Sequence, residues 1–313
     1  MGRCPFLRVE ESMDHFDALK RELMLRCPAL EVREWEGMAR HTTFRLGGPV
    51  RLMALPKNRD EAVCAVRTAW EMGVEPFFLG NGSNLLVPDE GVQRFVIKLL
   101  DGLVQCCVDG EELYAESGLL LSRLANIALE HGLTGLEFAH GIPGTVGGAV
   151  TMNAGAYEGE MAQVVTAVDC LGVDGTIERI TDCGFSYRHS NFSDGRRLVL
   201  GAQMKLRCGN AQEIKDRMDD LMFRRKSKQP LEYPSAGSMF KRPVGYFAAA
   251  LIDQCGLKGY TVGGAQVSEK HAGFVVNRGG AVCADVLRLV DDVRACVLQK
   301  TGVELEMEVK VLK

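Results

Sequence analysis

Apolar residues at Met13, Phe16, Leu23, Met24 and Cys27 recur at helical spacing, so segment 11–27 predicts an amphipathic helix that serves as a packing element. After a loop through Trp35 and Arg40, the apolar run 50–55 reads as a strand. Asn58 followed by Glu61 has capping-box spacing and opens a helix that packs Val63, Val66 and Trp70. Residues 76–79 form a short apolar run of the kind found in buried strands. It delivers the chain to Gly80-Asn81-Gly82-Ser83-Asn84, a turn between two apolar strands. Between 95 and 116, two strand-like runs flank Asp109-Gly110, and the runs 164–170 and 176–180 flank Asp174-Gly175; both dipeptides are hairpin signals. A helix over 119–130 lies between these hairpins. Past Gly209-Asn210 a charged helix covers 211–228. Beyond it come a helix around 245–255, strands near 274–276 and 304–312, and a helix carrying Val282, Val286, Leu289, Val290, Val293 and Val297. The pattern is α+β. It divides into a lead-in (1–39), a region of strands and tight turns (40–209) and a smaller α/β unit (210–313).

Composition narrows the class. Of 313 residues 46% are hydrophobic and 25% charged, the usage of a soluble globular protein, and the formal net charge of −4 offers no global basic field for nucleic acid or an anionic membrane. The longest uncharged run, 141–157, holds Pro143, Asn153 and five glycines and is too short for a bilayer span. Eleven cysteines without a C-x-x-C pair, with no signal peptide ahead of them, fit a reducing cytoplasm and no metal site.

The 35 glycines are clustered. In the first cluster, two glycines let backbone N–H groups turn inward beside the side chains of Ser83 and Asn84, a nest suited to phosphate oxygens; an ordinary turn is the plain alternative. It is not the dinucleotide fingerprint, because Leu85 stands where the third glycine belongs and the chain continues as a strand. The second cluster, Gly141-Ile142-Pro143-Gly144-Thr145-Val146-Gly147-Gly148-Ala149, runs on to Met152-Asn153-Ala154-Gly155-Ala156-Tyr157. So long a stretch of small residues suits backbone lying against a flat, extended cofactor. The expected cofactor contacts are Gly80, Asn81, Gly82, Ser83, Asn84 and Leu85, then Ile142, Pro143, Gly144, Thr145, Val146, Gly147, Gly148, Ala154 and Gly155.

A third stretch, 234–243, places Ser238 after a glycine and ahead of Lys241 and Arg242. It lacks G-x-S-x-G because residue 240 is Phe, so an acyl nucleophile is not expected, and standing alone it reads as a polar loop with a capping serine. Lys241 and Arg242, with the run 224–228, are candidates for a substrate's phosphates, although a solvated helix end explains that run equally well. Alternation over 305–309 puts Glu306 and Glu308 on one face, where strand carboxylates are usually solvated. His41, His140 and His271 read as structural.

Taken together, eight ordered blocks resemble the UDP-N-acetylenolpyruvoylglucosamine reductase (MurB) family: HTTFRLGG, GNGSNLLV, GIPGTVGGAVTMNAGAY, YRHSNF, PSAGSMFKRP, GLKGY, GGAQVSEKHAGFVVN and LEMEV. The chain is similar to the shorter class, without an inserted tyrosine-bearing loop. It departs from the usual pattern at Glu158, where Gly often follows Ala-Tyr, and at Met307, where Pro is common. The resemblance implies a flavin-binding region of the vanillyl-alcohol-oxidase (PCMH) type over 40–209, followed by a smaller substrate-binding domain over 210–313. It implies non-covalent FAD, NADPH as co-substrate, and reduction of the enolpyruvyl ether of a UDP-sugar to UDP-N-acetylmuramate for peptidoglycan synthesis in the cytoplasm. The carried-over catalytic residues are Arg188, Ser238 and Glu308; the expected substrate contacts are Tyr187, Lys241 and Arg242; and a monomer is expected. Another flavin oxidase or dehydrogenase on the same scaffold, or a non-catalytic nucleotide-binding regulator, are the competing readings.

Overall fold

A computed structural model describes residues 14–313; Met13 lies outside the described residues. Helix α1 (His15–Arg26) buries Phe16, Leu19 and Leu23, while Met24 beside that stripe is exposed, so the apolar stripe is narrower than the sequence pattern suggests. Helix α2 (Arg59–Glu71) starts as expected: the Asn58 side chain accepts from the Glu61 N–H at 2.9 Å, and the Glu61 carboxylate accepts from the Lys57 N–H at 2.8 Å. Both helices pack on a four-stranded sheet ordered Glu31–Gly37, Pro49–Leu55, Val92–Lys98, Pro76–Leu79. The segment read as a loop through Trp35 is the edge strand of this sheet, antiparallel to Pro49–Leu55. Its charged side chains hid the strand from a hydrophobic pattern, and they suit an unpaired edge. Phe95 belongs to this sheet, so the first hairpin is only Cys106–Asp109 with Glu112–Glu116.

The second sheet is antiparallel and ordered Ile177–Ile180, Val165–Leu171, Leu198–Lys205, Glu112–Glu116, Cys106–Asp109. Strand Leu198–Lys205 is buried on both faces. Leu198 and Leu200 join the core of the first sheet, while Val199, Ala202 and Met204 join a separate core beneath α3 (Leu121–Glu130) and α4 (Val146–Met152). Helix α5 (Ala211–Lys228) also enters that middle core, through Ile214 and Met218.

The third sheet is ordered Ser235–Ser238, Phe274–Asn277, Ala265–Val267, Thr261–Val262 and carries α6 (Ala248–Gln254) and α7 (Cys283–Thr301). The apolar stripe of α7 is buried as read, except that Val282 is the exposed residue preceding the helix. Two elements differ from the sequence reading. The serine segment is a strand at Ser235–Ser238, not a loop. The C-terminal run 304–312 is a strand only at Lys310–Val311, which pairs in parallel with Leu85–Leu86, while Met307 bridges Phe240. The chain end thus ties the third core to the first glycine turn.

Candidate active site

A cavity of about 530 Å³ lies where the three parts meet. Its floor is made by the two glycine clusters, which the structure locks together. Asn81 donates from its side-chain amide to the Pro143 carbonyl at 2.8 Å, and a Cβ on Gly80 would come within 2.4 Å of Thr145 Oγ1. The glycines of the second cluster serve different ends. Gly147 is required by packing, since its N–H donates to the Ser117 carbonyl and a Cβ there would sit 2.8 Å from that of Ser117. Gly144 and Gly148 meet nothing closer than 3.7 Å, so they leave bare backbone facing the cavity. Every expected cofactor contact lines the cavity except Val146, whose side chain is fully buried and whose N–H donates to the Leu119 carbonyl.

Arg188, Ser238 and Glu308 come from three distant parts of the chain and line this same cavity. Arg188 sits at φ +56° in a tight turn closed by reciprocal backbone hydrogen bonds between Ser186 and His189. Asn153 holds that turn: this buried left-handed residue ends α4, donates to the Ser186 carbonyl at 3.0 Å, and accepts from the Ala162 N–H at 2.9 Å. The Arg188 guanidinium donates from Nε to Glu308 Oε1 at 2.7 Å and from Nη2 to the Gly155 carbonyl at 3.4 Å. Glu308 is fixed through its backbone, its carbonyl accepting from the Asn84 amide at 3.2 Å and its N–H donating to the Met239 carbonyl at 2.9 Å. These bonds place it beside Ser238. Alternation suggested a solvated carboxylate at 308, but its side chain is only 13% exposed, against 71% for Glu306. Burial pushes the Glu308 carboxyl above the usual range even with Arg188 beside it. Ser238 Oγ makes no hydrogen bond among the described residues and is exposed to the cavity.

The expected substrate contacts lie off the cavity wall. The Tyr187 hydroxyl accepts from the Arg242 N–H at 3.1 Å, Arg242 stacks over Phe247 at 4.0 Å, and Lys241 pairs with Glu306. Together they make an exposed, aromatic and basic rim. Of the three histidines, His41 bridges the Glu36 carboxylate and Lys98 and His271 Nδ1 accepts from the Gly273 N–H at 3.2 Å, whereas His140 Nδ1 is buried with no partner among the described residues.

Two family models match the chain: an FAD binding domain over residues 50–181 and the UDP-N-acetylenolpyruvoylglucosamine reductase C-terminal domain over 229–312. The UDP-N-acetylenolpyruvoylglucosamine reductase of Caldanaerobacter subterraneus subsp. tengcongensis is 48% identical over 279 residues, 88% of this chain and 92% of that protein. That of Pediococcus pentosaceus is 46% identical over 287 residues, 91% and 95% of the two chains. The chain belongs to the UDP-N-acetylenolpyruvoylglucosamine reductase family. A crystal structure of the reductase (MurB) from Thermus caldophilus superposes with a TM-score of 0.78 at 38% identity, covering 91% of this chain and 99% of that one.

The cavity suits the flavin that this membership brings into view. Bare backbone at Gly144 and Gly148 admits a flat, extended group, and one buried acceptor of a lining residue, Gln229 Oε1, has no partner among the described residues. Sequence reasoning did not single out Asn153, Gln229 or Lys310. Lys310 lines the cavity, where burial and the nearby Lys241 push its ammonium below the usual lysine range. Only Asn153 left a signal, as an asparagine just after a helical run. Among the described residues no helix is long and apolar enough to cross a membrane.

Proposed function

We propose that the cavity holds FAD and that, with NADPH, the chain reduces the enolpyruvyl ether of UDP-N-acetyl-3-O-(1-carboxyvinyl)glucosamine to UDP-N-acetylmuramate in cytoplasmic peptidoglycan synthesis. The observation that carries the reading is the meeting of Arg188, Ser238 and Glu308 on one cavity floored by two interlocked glycine turns. In this reading residues 40–209 hold the flavin together with α5, which packs on the core of that part through Ile214 and Met218, and the residues beyond α5 present the substrate.

Bound flavin supplies hydride, taken from NADPH and delivered to the terminal enolpyruvyl carbon. The protein must then answer the charge this leaves on the adjacent carbon and its carboxylate. Arg188 spends two of its N–H groups on Glu308 and Gly155, and its remaining donors are free to meet that carboxylate in a site with little water. Ser238 Oγ, uncommitted to any other hydrogen bond, gives its proton to the carbon next to the carboxylate. The double bond has then gained one hydride and one proton. Burial raises the Glu308 carboxyl, and this group either stabilises the same charge when it carries a proton or orients a water. The rim of Tyr187, Lys241 and Arg242, at the mouth, presents cations and aromatic faces to the nucleotide part of the substrate.

Ser238→Ala separates the half-reactions. NADPH should still bleach the flavin at close to the wild-type rate, while reoxidation by enolpyruvyl nucleotide slows roughly 10²–10⁴-fold in stopped-flow absorbance. Reoxidation at the wild-type rate would remove Ser238 as the proton donor.

A further inference from the structure

The cavity lining carries two polar groups that nothing among the described residues satisfies. Arg225 and Gln229 stand one turn apart at the end of α5, the Gln229 N–H donating to the Arg225 carbonyl at 2.8 Å, and both line the cavity. The Arg225 guanidinium has no hydrogen bond or ion pair among the described residues, unlike its neighbour Arg224, which pairs with Asp220. Its aliphatic stem rests on Gly141, where a Cβ would come within 3.0 Å of Cδ, so a side chain at 141 would displace the arginine. Gln229 Oε1 is buried without a donor. Burial alone pulls Arg225 below the usual arginine range, as expected for a cation lacking a carboxylate.

A fixed cation next to an orphaned acceptor asks for a ligand edge that accepts at one position and donates at the next. A diphosphate offers no donor; an imide offers C=O beside N–H. We infer that Arg225 and Gln229 read the pyrimidine edge of the isoalloxazine, Arg225 donating to the C2 carbonyl and Gln229 Oε1 accepting from N3–H. The inference rests on the flavin reading above. The uracil of the substrate carries the same edge, but Gly141 begins the glycine cluster that paves the cavity floor, which favours the flavin. In this position Arg225 also faces the side of the ring that holds negative charge after uptake of two electrons and one proton. It therefore binds the reduced cofactor more tightly than the oxidised one.

The test is the midpoint potential of the bound flavin in the purified holoenzyme. Arg225→Met should weaken binding of reduced relative to oxidised flavin at least tenfold, a fall of about 30 mV for a two-electron couple, with KM for the enolpyruvyl nucleotide changed less than threefold. Arg225→Lys should keep that ratio within threefold of wild type. An unchanged potential in Arg225→Met would overturn the inference, and with a tenfold rise in KM would assign the pair to uracil. Should Arg225→Met purify colourless, Gln229→Leu decides. Loss of the acceptor should lower the pH at which oxidised bound flavin releases its N3 proton by about one unit, and an unmoved titration would overturn the inference. Colourless wild-type protein would sink the flavin reading itself, a different outcome from an unmoved potential in yellow protein.

Discussion

Tyr157 and Glu158 are the two central residues of the hairpin Gly155–Ala156 and Gly159–Glu160, and both have positive φ, +52° and +70°. Mirror-image hairpin turns require that conformation, and glycine adopts it at no steric cost, whereas glutamate does not. Glu158→Gly should therefore raise stability by about 1 kcal/mol in denaturant unfolding; a loss of stability would mean that the glutamate side chain contributes more than the turn costs. Glu308 supports a second prediction. Its carboxyl is raised above 4.5, so the native state holds the proton more tightly than the unfolded chain does. That contribution is fully present below about pH 4.5 and is lost as pH rises through the raised value. Glu308→Gln cannot ionise, so the stability difference between variant and wild type should move in the variant's favour from pH 4.5 upward, by about 1.4 kcal/mol for each unit the carboxyl is raised. A pH-independent difference would show that burial does not govern this carboxyl.

Among the elements, the connection that decides the site is α4 and the turn it supports. Asn153 ends α4 and reaches both the Arg188 turn and the segment at Ala162. Asn153→Ala should leave flavin bound and lower kcat by about 10- to 100-fold, because the Arg188 guanidinium loses its alignment; an unchanged kcat would show that the turn holds itself. The helices and hairpins were legible because their signals are local, as at Asn58, Asp109-Gly110 and Asp174-Gly175. The edge strand Glu31–Gly37 was hidden because its two apolar residues, Val32 and Trp35, are not in period-two register and the rest are charged or glycine. The pairing of Lys310–Val311 with Leu85–Leu86 was hidden because it joins residues more than two hundred positions apart. The burial of Glu308 follows from that pairing, so a strand alternation rule placed it in solvent.

For the molecule as a whole, four hydrophobic clusters among the described residues contribute to or flank one cavity, and the groups that meet there are carried by different cores. The proposed catalytic trio came from the family resemblance, residue by residue, and its three side chains line one cavity. Arg225 was read only within the run 224–228, as a candidate for a substrate's phosphates or a solvated helix end, since sequence cannot distinguish a solvated arginine from one turned inward against Gly141. On the proposed reading one flavin serves two reactants in turn. The most direct measurement is an anaerobic absorbance titration of the purified protein: the flavin bands should be present, fade with one equivalent of NADPH, and return on adding one equivalent of the enolpyruvyl nucleotide. Bands that are absent, or that fade and do not return, would contradict the account.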